Sequence, residues 1–225
     1  MRISTGLKFV LSIVPLCLCA QGQNAPGKDA PIKQAQGMPP RAAPAEYQAQ
    51  AQAGTVTVAA EFTGHSVSTG QGTPLSTEDY VVVEVGLFGA PEARLKLSAS
   101  DFSLRVNGKK TPVPTQPYGL VVGSLKDPEW EPPAAPSKSK TSIGGGGGGG
   151  DPSDPNAPPA PVKIPIEVQR AMAQRVQKAS LPEGDRGLPQ AGLIFFPYRG
   201  KTQGIHSLEL IYNGPEGKAT LALRP

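Results

Sequence analysis

Few residues of this 225-residue chain are of a type that does chemistry. His65 and His206 are its only imidazoles, and Cys17 and Cys19 its only thiols. His206 stands three residues before Glu209 in IHSLEL. Positions three apart in a strand point to opposite faces, so that pair cannot hold one ion. His65 follows Glu61 by four, a spacing that shares a strand face, but Gly64 intervenes and ends the run. A site of two histidines and a carboxylate would have to be assembled in space. There is no G-x-S-x-G elbow for a nucleophilic serine. Residues 137–140 spell SKSK, formally S-x-x-K, inside Pro/Gly-rich sequence where nothing holds an ammonium against a hydroxyl. Residues 144–150 are seven glycines followed by Asp151-Pro152, where a phosphate loop needs Lys and then Ser or Thr. Residues 151–154 (DPSD) lack the regularly spaced oxygen ligands of a calcium loop. The expectation is a protein that is not an enzyme, with no catalytic residue, metal or cofactor.

Recognition is the chemistry that remains. In GLIFFPYRG, residues 192–200, strand alternation sends Phe195 and Phe196 to opposite faces, with Tyr198 and Arg199 just beyond. Aromatic residues beside an arginine are typical of binding hot spots. Pro197 lacks a ladder donor and marks the strand as an edge to which a partner strand can add. Residues 165–180 carry Arg170, Arg175 and Lys178 with one acid, Glu167. The candidate interaction surface is therefore Phe195, Phe196, Tyr198, Arg199, Arg170 and Arg175. A helix so charged also suits an anionic membrane surface, but its apolar stripe is short, and the favoured reading puts that stripe on the protein core.

The start of the chain reads as an export signal over residues 1–22: Arg2 and Lys8 precede twelve uncharged, mostly apolar residues at 9–20, and Ala20-Gln21-Gly22 offers a cleavage site. Cleavage after Gly22 or after Ala20 leaves Gln23 or Gln21 first. Twelve helical residues rise ~18 Å against a hydrocarbon core of ~30 Å, too short to span. Leu16 and Leu18 precede the cysteines where a lipoprotein signal needs a small residue, so lipid anchoring is not expected. Removal of this segment takes both thiols with it, leaving no disulfide framework. Taking Arg2 and Lys8 from the 22 cations leaves 20 against 18 acids, and the remaining cations are scattered, so nucleic acid is not the expected partner. A protein or envelope component, periplasmic or extracellular, is.

The elements that must position these residues are short. Gly (27) and Pro (26) make up nearly a quarter of the chain against ~12% on average, and aromatics are 5%, so one modest core is expected between linkers. Residues 23–53, rich in Ala, Gln and Pro, read as a disordered tether, since they cannot bury enough surface to offset the entropy of ordering. Residues 54–225 read as one domain. Strands are expected at 55–62, 80–88 (YVVVEVGLF, the most apolar run, partly covered on both faces), 93–97, 102–106, 110–113, 118–122, 192–198, 205–212 and 218–223. Asn107-Gly108 supplies a hairpin turn and residues 213–217 another. A disordered Pro/Gly insertion occupies 127–161. Helix 165–180 follows, with Val168, Met172, Val176 and Ala179 in one stripe and Pro182 and Gly184 stopping it.

Many short strands with turn signals favour a β-sandwich. The segments STEDYVVVEVGLFG and LKLSASDFSLRVNGKKTPV, with GLIFFPYRGK and SLELIYNGPEGKATLAL later, resemble a class of uncharacterised immunoglobulin-like domains of exported bacterial proteins. The likeness covers residues 77–113 and 191–223 and rests on packing and turn residues. It implies an immunoglobulin-like β-sandwich, bacterial origin and no transferable catalytic assignment. The functional expectation is an exported interaction module. The alternatives are a secreted hydrolase or metal-dependent enzyme with a site assembled in space, and a membrane-surface module using helix 165–180.

Overall fold

A computed structural model describes residues 35–130 and 164–225. The export segment, both cysteines, residues 23–34 of the expected tether and 131–161 of the expected insertion lie outside the described residues. In chain order the elements are β1 (Ala49–Ala53), β2 (Val56–Gly64), β3 (Ser66–Val67), β4 (Leu75–Thr77), β5 (Tyr80–Phe88), β6 (Arg94–Leu97), β7 (Phe102–Val106), β8 (Val113–Pro114), α1 (Tyr118–Val121), β9 (Leu125–Lys126), α2 (Ile166–Ala179), β10 (Gly184–Gly187), β11 (Gln190–Pro197), β12 (Leu208–Gly214) and β13 (Gly217–Leu223). The described strands form antiparallel sheets in the orders β1-β2-β5-β11, β13-β12-β7-β8, β3-β4-β9 and β10-β6. The protein is mainly β, with two short helices.

β5 explains most of this layout. Its β-branched run is strand-forming, and its side chains alternate between two separate apolar clusters. Val81, Val83, Val85 and Leu87 join Val56 and Val58 of β2 and Ile194 and Phe196 of β11. The same cluster takes in Phe102 and Leu104 of β7, Leu208 and Leu210 of β12, and Leu221 and Leu223 of β13. Side chains from both four-stranded sheets thus share one core. On its other face Val82 meets Leu193 and Phe195, which lie among Met172, Val176 and Ala179 of α2, Val121 of α1, and Val67, Leu75 and Leu125 of the small sheet. The helical stripe read from the sequence is the buried face of α2, with Val168 half-buried at its margin.

Several elements differ from the sequence reading. Residues 35–53 are not tether: Tyr47 is buried, and β1 pairs with β2 from Ala49↔Ala60 to Ala53↔Val56. The AQAQA strand is held by its neighbour, a tertiary effect that composition does not carry. Residues 118–122 form α1 and a following 3₁₀ turn instead of a strand, because Pro117 caps a turn in which Val121 alone is buried while Leu120 faces solvent. Asn107 and Gly108 do make the expected turn, with φ of 52° and 64°. The return is only β8, since Pro112 and Pro114 lack donors. Asn107 instead ties β7 to the approach to β12, its Oδ1 accepting from His206 N–H at 2.7 Å. At 127–130 the expected insertion is anchored by Asp127, whose carboxylate lies 3.7 Å from Arg175 Nη1.

The outer edge of β11 is covered in pieces. Met38 N–H donates to the Ala191 carbonyl, Leu181 N–H to Leu193 and Gln116 N–H to Phe195, at 2.8, 3.0 and 2.8 Å. The middle contact is so close that a Cβ on Gly192 would lie 2.4 Å from Leu181 Cα and 2.5 Å from its nitrogen. Backbone cannot yield as a flexible side chain can. Gly192→Ala should therefore cost about 1–3 kcal/mol in denaturant unfolding, while Gly187→Ala, with open space around its Cβ, should stay within about 0.5 kcal/mol. Equal effects would remove the close approach as the cause.

In the shared core the Phe102 and Tyr212 rings are 5.0 Å apart. The buried Tyr212 hydroxyl has no hydrogen-bond partner among the described residues. Burial, with the charges of Asp101 and Glu216 nearby, pushes its pKa up to about 12 from an ordinary 10.0. The unfolded phenol ionises first, so the stability tied to the neutral folded group is whole below pH 10.0 and is lost as pH rises through about 12. Tyr212→Phe should flatten the fall in unfolding free energy across that window. At neutral pH it should be neutral or stabilising by up to about 1 kcal/mol, because it removes a buried donor that bonds to nothing.

Candidate functional site

The six residues of the sequence-derived surface do not form one surface. Phe195 and Phe196 are 1% and 0% exposed, the first beneath α2 and the second in the core shared by the two larger sheets. Neither is open to a partner. The β11 edge beside them, expected to accept a partner strand, is occupied by the three backbone contacts of Met38, Leu181 and Gln116. Arg175 is half-buried: its Nη2 donates to the carbonyls of Gln71 and Thr73 at 2.7 and 2.5 Å, and Asp127 faces its Nη1. It fastens α2 to the 71–73 loop and is not a cation presented to a membrane. Arg170 is exposed, as expected.

Tyr198 and Arg199 stay at the surface, on a corner built by the ends of β5 and β11. Tyr198 N–H donates to the Asp79 carbonyl at 2.8 Å, and the Asp79 carboxylate takes Arg199 Nε at 3.0 Å. Arg199 remains 84% exposed. His65 stands beside this corner, its ring tilted toward that of Tyr198 with centroids 6.3 Å apart. Both its ring nitrogens face backbone carbonyls, Nδ1 that of Tyr80 at 2.7 Å and Nε2 that of Gly200 at 2.9 Å. With both nitrogens turned to backbone carbonyls, neither faces open space where a metal ion could sit. His206 lies by Asn107, apart from these contacts. Among the described residues no group of three or more His, Cys, Asp or Glu is placed to hold a metal ion.

A further polar cluster, which no sequence motif marks, sits on the face of the sheet under Tyr47. Glu61 of β2 and Glu84 of β5 are register partners, so two carboxylates stand side by side on one sheet face. Arg41 bridges them. Its Nε and Nη2 take the two oxygens of Glu84 at 3.2 and 3.0 Å, and its Nη1 takes Glu61 Oε2 at 2.5 Å. Nη1 also donates to the Glu46 carbonyl at 2.6 Å, and the guanidinium lies 4.4 Å over the Tyr47 ring. Burial lowers the arginine pKa, but hydrogen bonds to Glu84 and Glu61 outweigh it and hold the group above its ordinary value. Tyr47 is pushed up in turn, chiefly by burial. Paired carboxylates suit acid–base work only when one meets a substrate; here one guanidinium occupies both, under Tyr47. The signal for it is Glu84 itself, a lone carboxylate inside the most apolar run of the chain, which demands a cation.

A cavity of about 230 Å³ lies between α2, the loop at 69–71 and residues 36–39, with Arg175 and Lys178 on its wall. Comparison with family models, with curated proteins and with solved structures finds no match for this chain.

The Arg41 bridge makes a measurable demand. Glu84 has a side-chain exposure of 10% and Arg41 of 28%, whereas the Arg94–Asp185 pair is 61% and 65% exposed. Removing one partner of a buried pair strands the other. Arg41→Met should cost about 2–3 kcal/mol in chemical unfolding, and adding Glu84→Met should recover part of it. Arg94→Met should cost less than about 1 kcal/mol. A loss from Arg41→Met no larger than that from Arg94→Met would deny the cluster its holding role.

Proposed function

We propose that this chain is an exported, non-enzymatic module on an immunoglobulin-like β-sandwich, from a bacterial envelope, which works by binding a protein or envelope component. The observation that carries the reading is how the reactive side chains are used. His65 is spent on two carbonyls, Arg41 on two carboxylates, and Arg175 on a loop. The facing residues of the two four-stranded sheets are spent on one core, which is how the halves of a sandwich are held together. The export-like residues 1–22 support delivery to the periplasm or beyond. Of the expected surface, Arg199 extended into solvent, half-buried Tyr198 beside it and exposed Arg170 are left for recognition.

The test is fractionation of a bacterium expressing the full chain, with intact-mass analysis, followed by cross-linking in the envelope fraction. Expected is a chain starting at Gln23 or Gln21 outside the cytoplasm, with one cross-linked partner that Arg199→Glu loses while its melting temperature is unchanged. A full-length chain retained in the cytoplasm, or a partner indifferent to Arg199→Glu, overturns the reading.

A further inference from the structure

We propose that His65 is a proton-operated clamp, fastening the loop between β11 and β12 when its ring is an imidazolium and releasing it when the ring is neutral. A β-bulge between Phe62 and Gly64, with Gly64 at a φ of 66°, ends the pairing of β2 with β5 at Gly64↔Val82. The next residue, His65, is held by its own carbonyl, which accepts from Thr77 N–H at 3.0 Å. Its ring then bridges two backbone acceptors. Nδ1 stands 2.7 Å from the Tyr80 carbonyl oxygen and Nε2 stands 2.9 Å from that of Gly200. A neutral imidazole has one N–H and one lone pair, and only the imidazolium has two N–H groups. A carbonyl oxygen donates nothing, so both contacts are hydrogen bonds in the cation alone. In the neutral ring a lone pair faces an oxygen across one of them, and that contact opens.

The contact that opens is the one to Gly200. Tyr80 lies in β5, in register with Pro197 of β11, and cannot shift without the sheet. Gly200 lies in a loop fixed at its two ends. Before it, Tyr198 N–H donates to the Asp79 carbonyl at 2.8 Å; after it, the Gly204 carbonyl accepts from Asn107 Nδ2 at 2.9 Å. Gly200 and Lys201, between these anchors, are exposed. The charged and titratable groups on the elements around the ring are Glu61 of β2, Glu78, Asp79 and Tyr80 at the start of β5, and Tyr198, Arg199 and Lys201 of the loop. Glu61 pairs with Arg41, Glu78 with Lys126 and Asp79 with Arg199, while the Tyr198 ring lies tilted at 6.3 Å. Each of these carboxylates is answered by another cation, so the two carbonyls decide how the ring is held. Histidine is the side chain whose charge changes between pH 5 and 8. The loop is therefore fastened toward the acid end of that span and freer toward the other, and with it the presentation of Arg199 and Lys201.

The experiment takes two readouts from the full chain at pH 5 and at pH 8. In NMR of histidine-labelled protein, both ring N–H protons of His65 should be protected from solvent at pH 5 and one at pH 8. In hydrogen exchange read by mass, corrected for the intrinsic effect of pH, residues 198–205 should be roughly tenfold less protected at pH 8, the loss of one charge-assisted hydrogen bond. His65→Gln offers an amide that does not titrate and should remove this pH dependence, whereas His206→Gln should leave it intact. If His65→Gln fails to fold, the ring protons of the unaltered chain decide. Fewer than two protected ring N–H protons at pH 5, or equal protection of residues 198–205 at the two pH values, would overturn the proposal. So would a tenfold drop that survives in His65→Gln or is abolished by His206→Gln.

Discussion

Val81, Val83, Val85 and Leu87 point one way along β5 and Val82 the other, and none of them reaches water. A strand buried on both faces needs two separate covers, and the positions of the other elements answer to that need. On one face the cover is the second four-stranded sheet. On the other it is α2, α1 and the small sheet beneath the first half of β5, then Tyr47 over the second half, where Gly86 leaves room for its ring. A Cβ on Gly86 would sit 2.7 Å from that ring. The glycine is thus a fitting for the segment that crosses above it.

Glu84 breaks this otherwise apolar arrangement, and its burial has a consequence far along the chain. An ionised carboxylate without a partner in such a place costs on the order of several kcal/mol. Arg41 meets it with two hydrogen bonds, takes Glu61 as well, and brings residues 41–47 down onto the sheet. A polar residue in a central strand therefore orders a stretch of chain over thirty-five residues away whose own composition argues against order. Specificity comes with it, since a guanidinium can serve two neighbouring carboxylates in one geometry where an ammonium presents only a point charge.

What could be read in advance follows the range of the forces involved. β5, β7, β11, β12, β13 and α2 were legible because alternation or a 3.6-residue stripe is a local record of burial. The turn at Asn107-Gly108 was legible because positive φ is a local demand. β1 and β10 were not: the apolar face of AQAQA is alanine alone and GDRG has none, and each is a strand by virtue of β2 or β6 alongside it. The aromatic pair shows the same limit at the surface. Alternation correctly separates Phe195 from Phe196, yet whether each face meets water depends on α2 and the second sheet, which lie elsewhere in the chain. Arg175 likewise reads as a solvated cation on a helical wheel, and only the 71–73 loop, a hundred residues earlier, makes it a fastening.

The three backbone contacts along the outer side of β11 come from residues 38, 116 and 181, and all of them precede the strand in the chain. A polypeptide emerging amino end first has made each of those guards before the apolar stretch from Leu193 to Phe196 appears. An unpaired, flat, hydrophobic border is the usual seed of intermolecular stacking while a protein is incomplete. In this order of synthesis the seed meets its own chain first, so the hazard of fibrillar association is shortened by the direction in which the molecule is built.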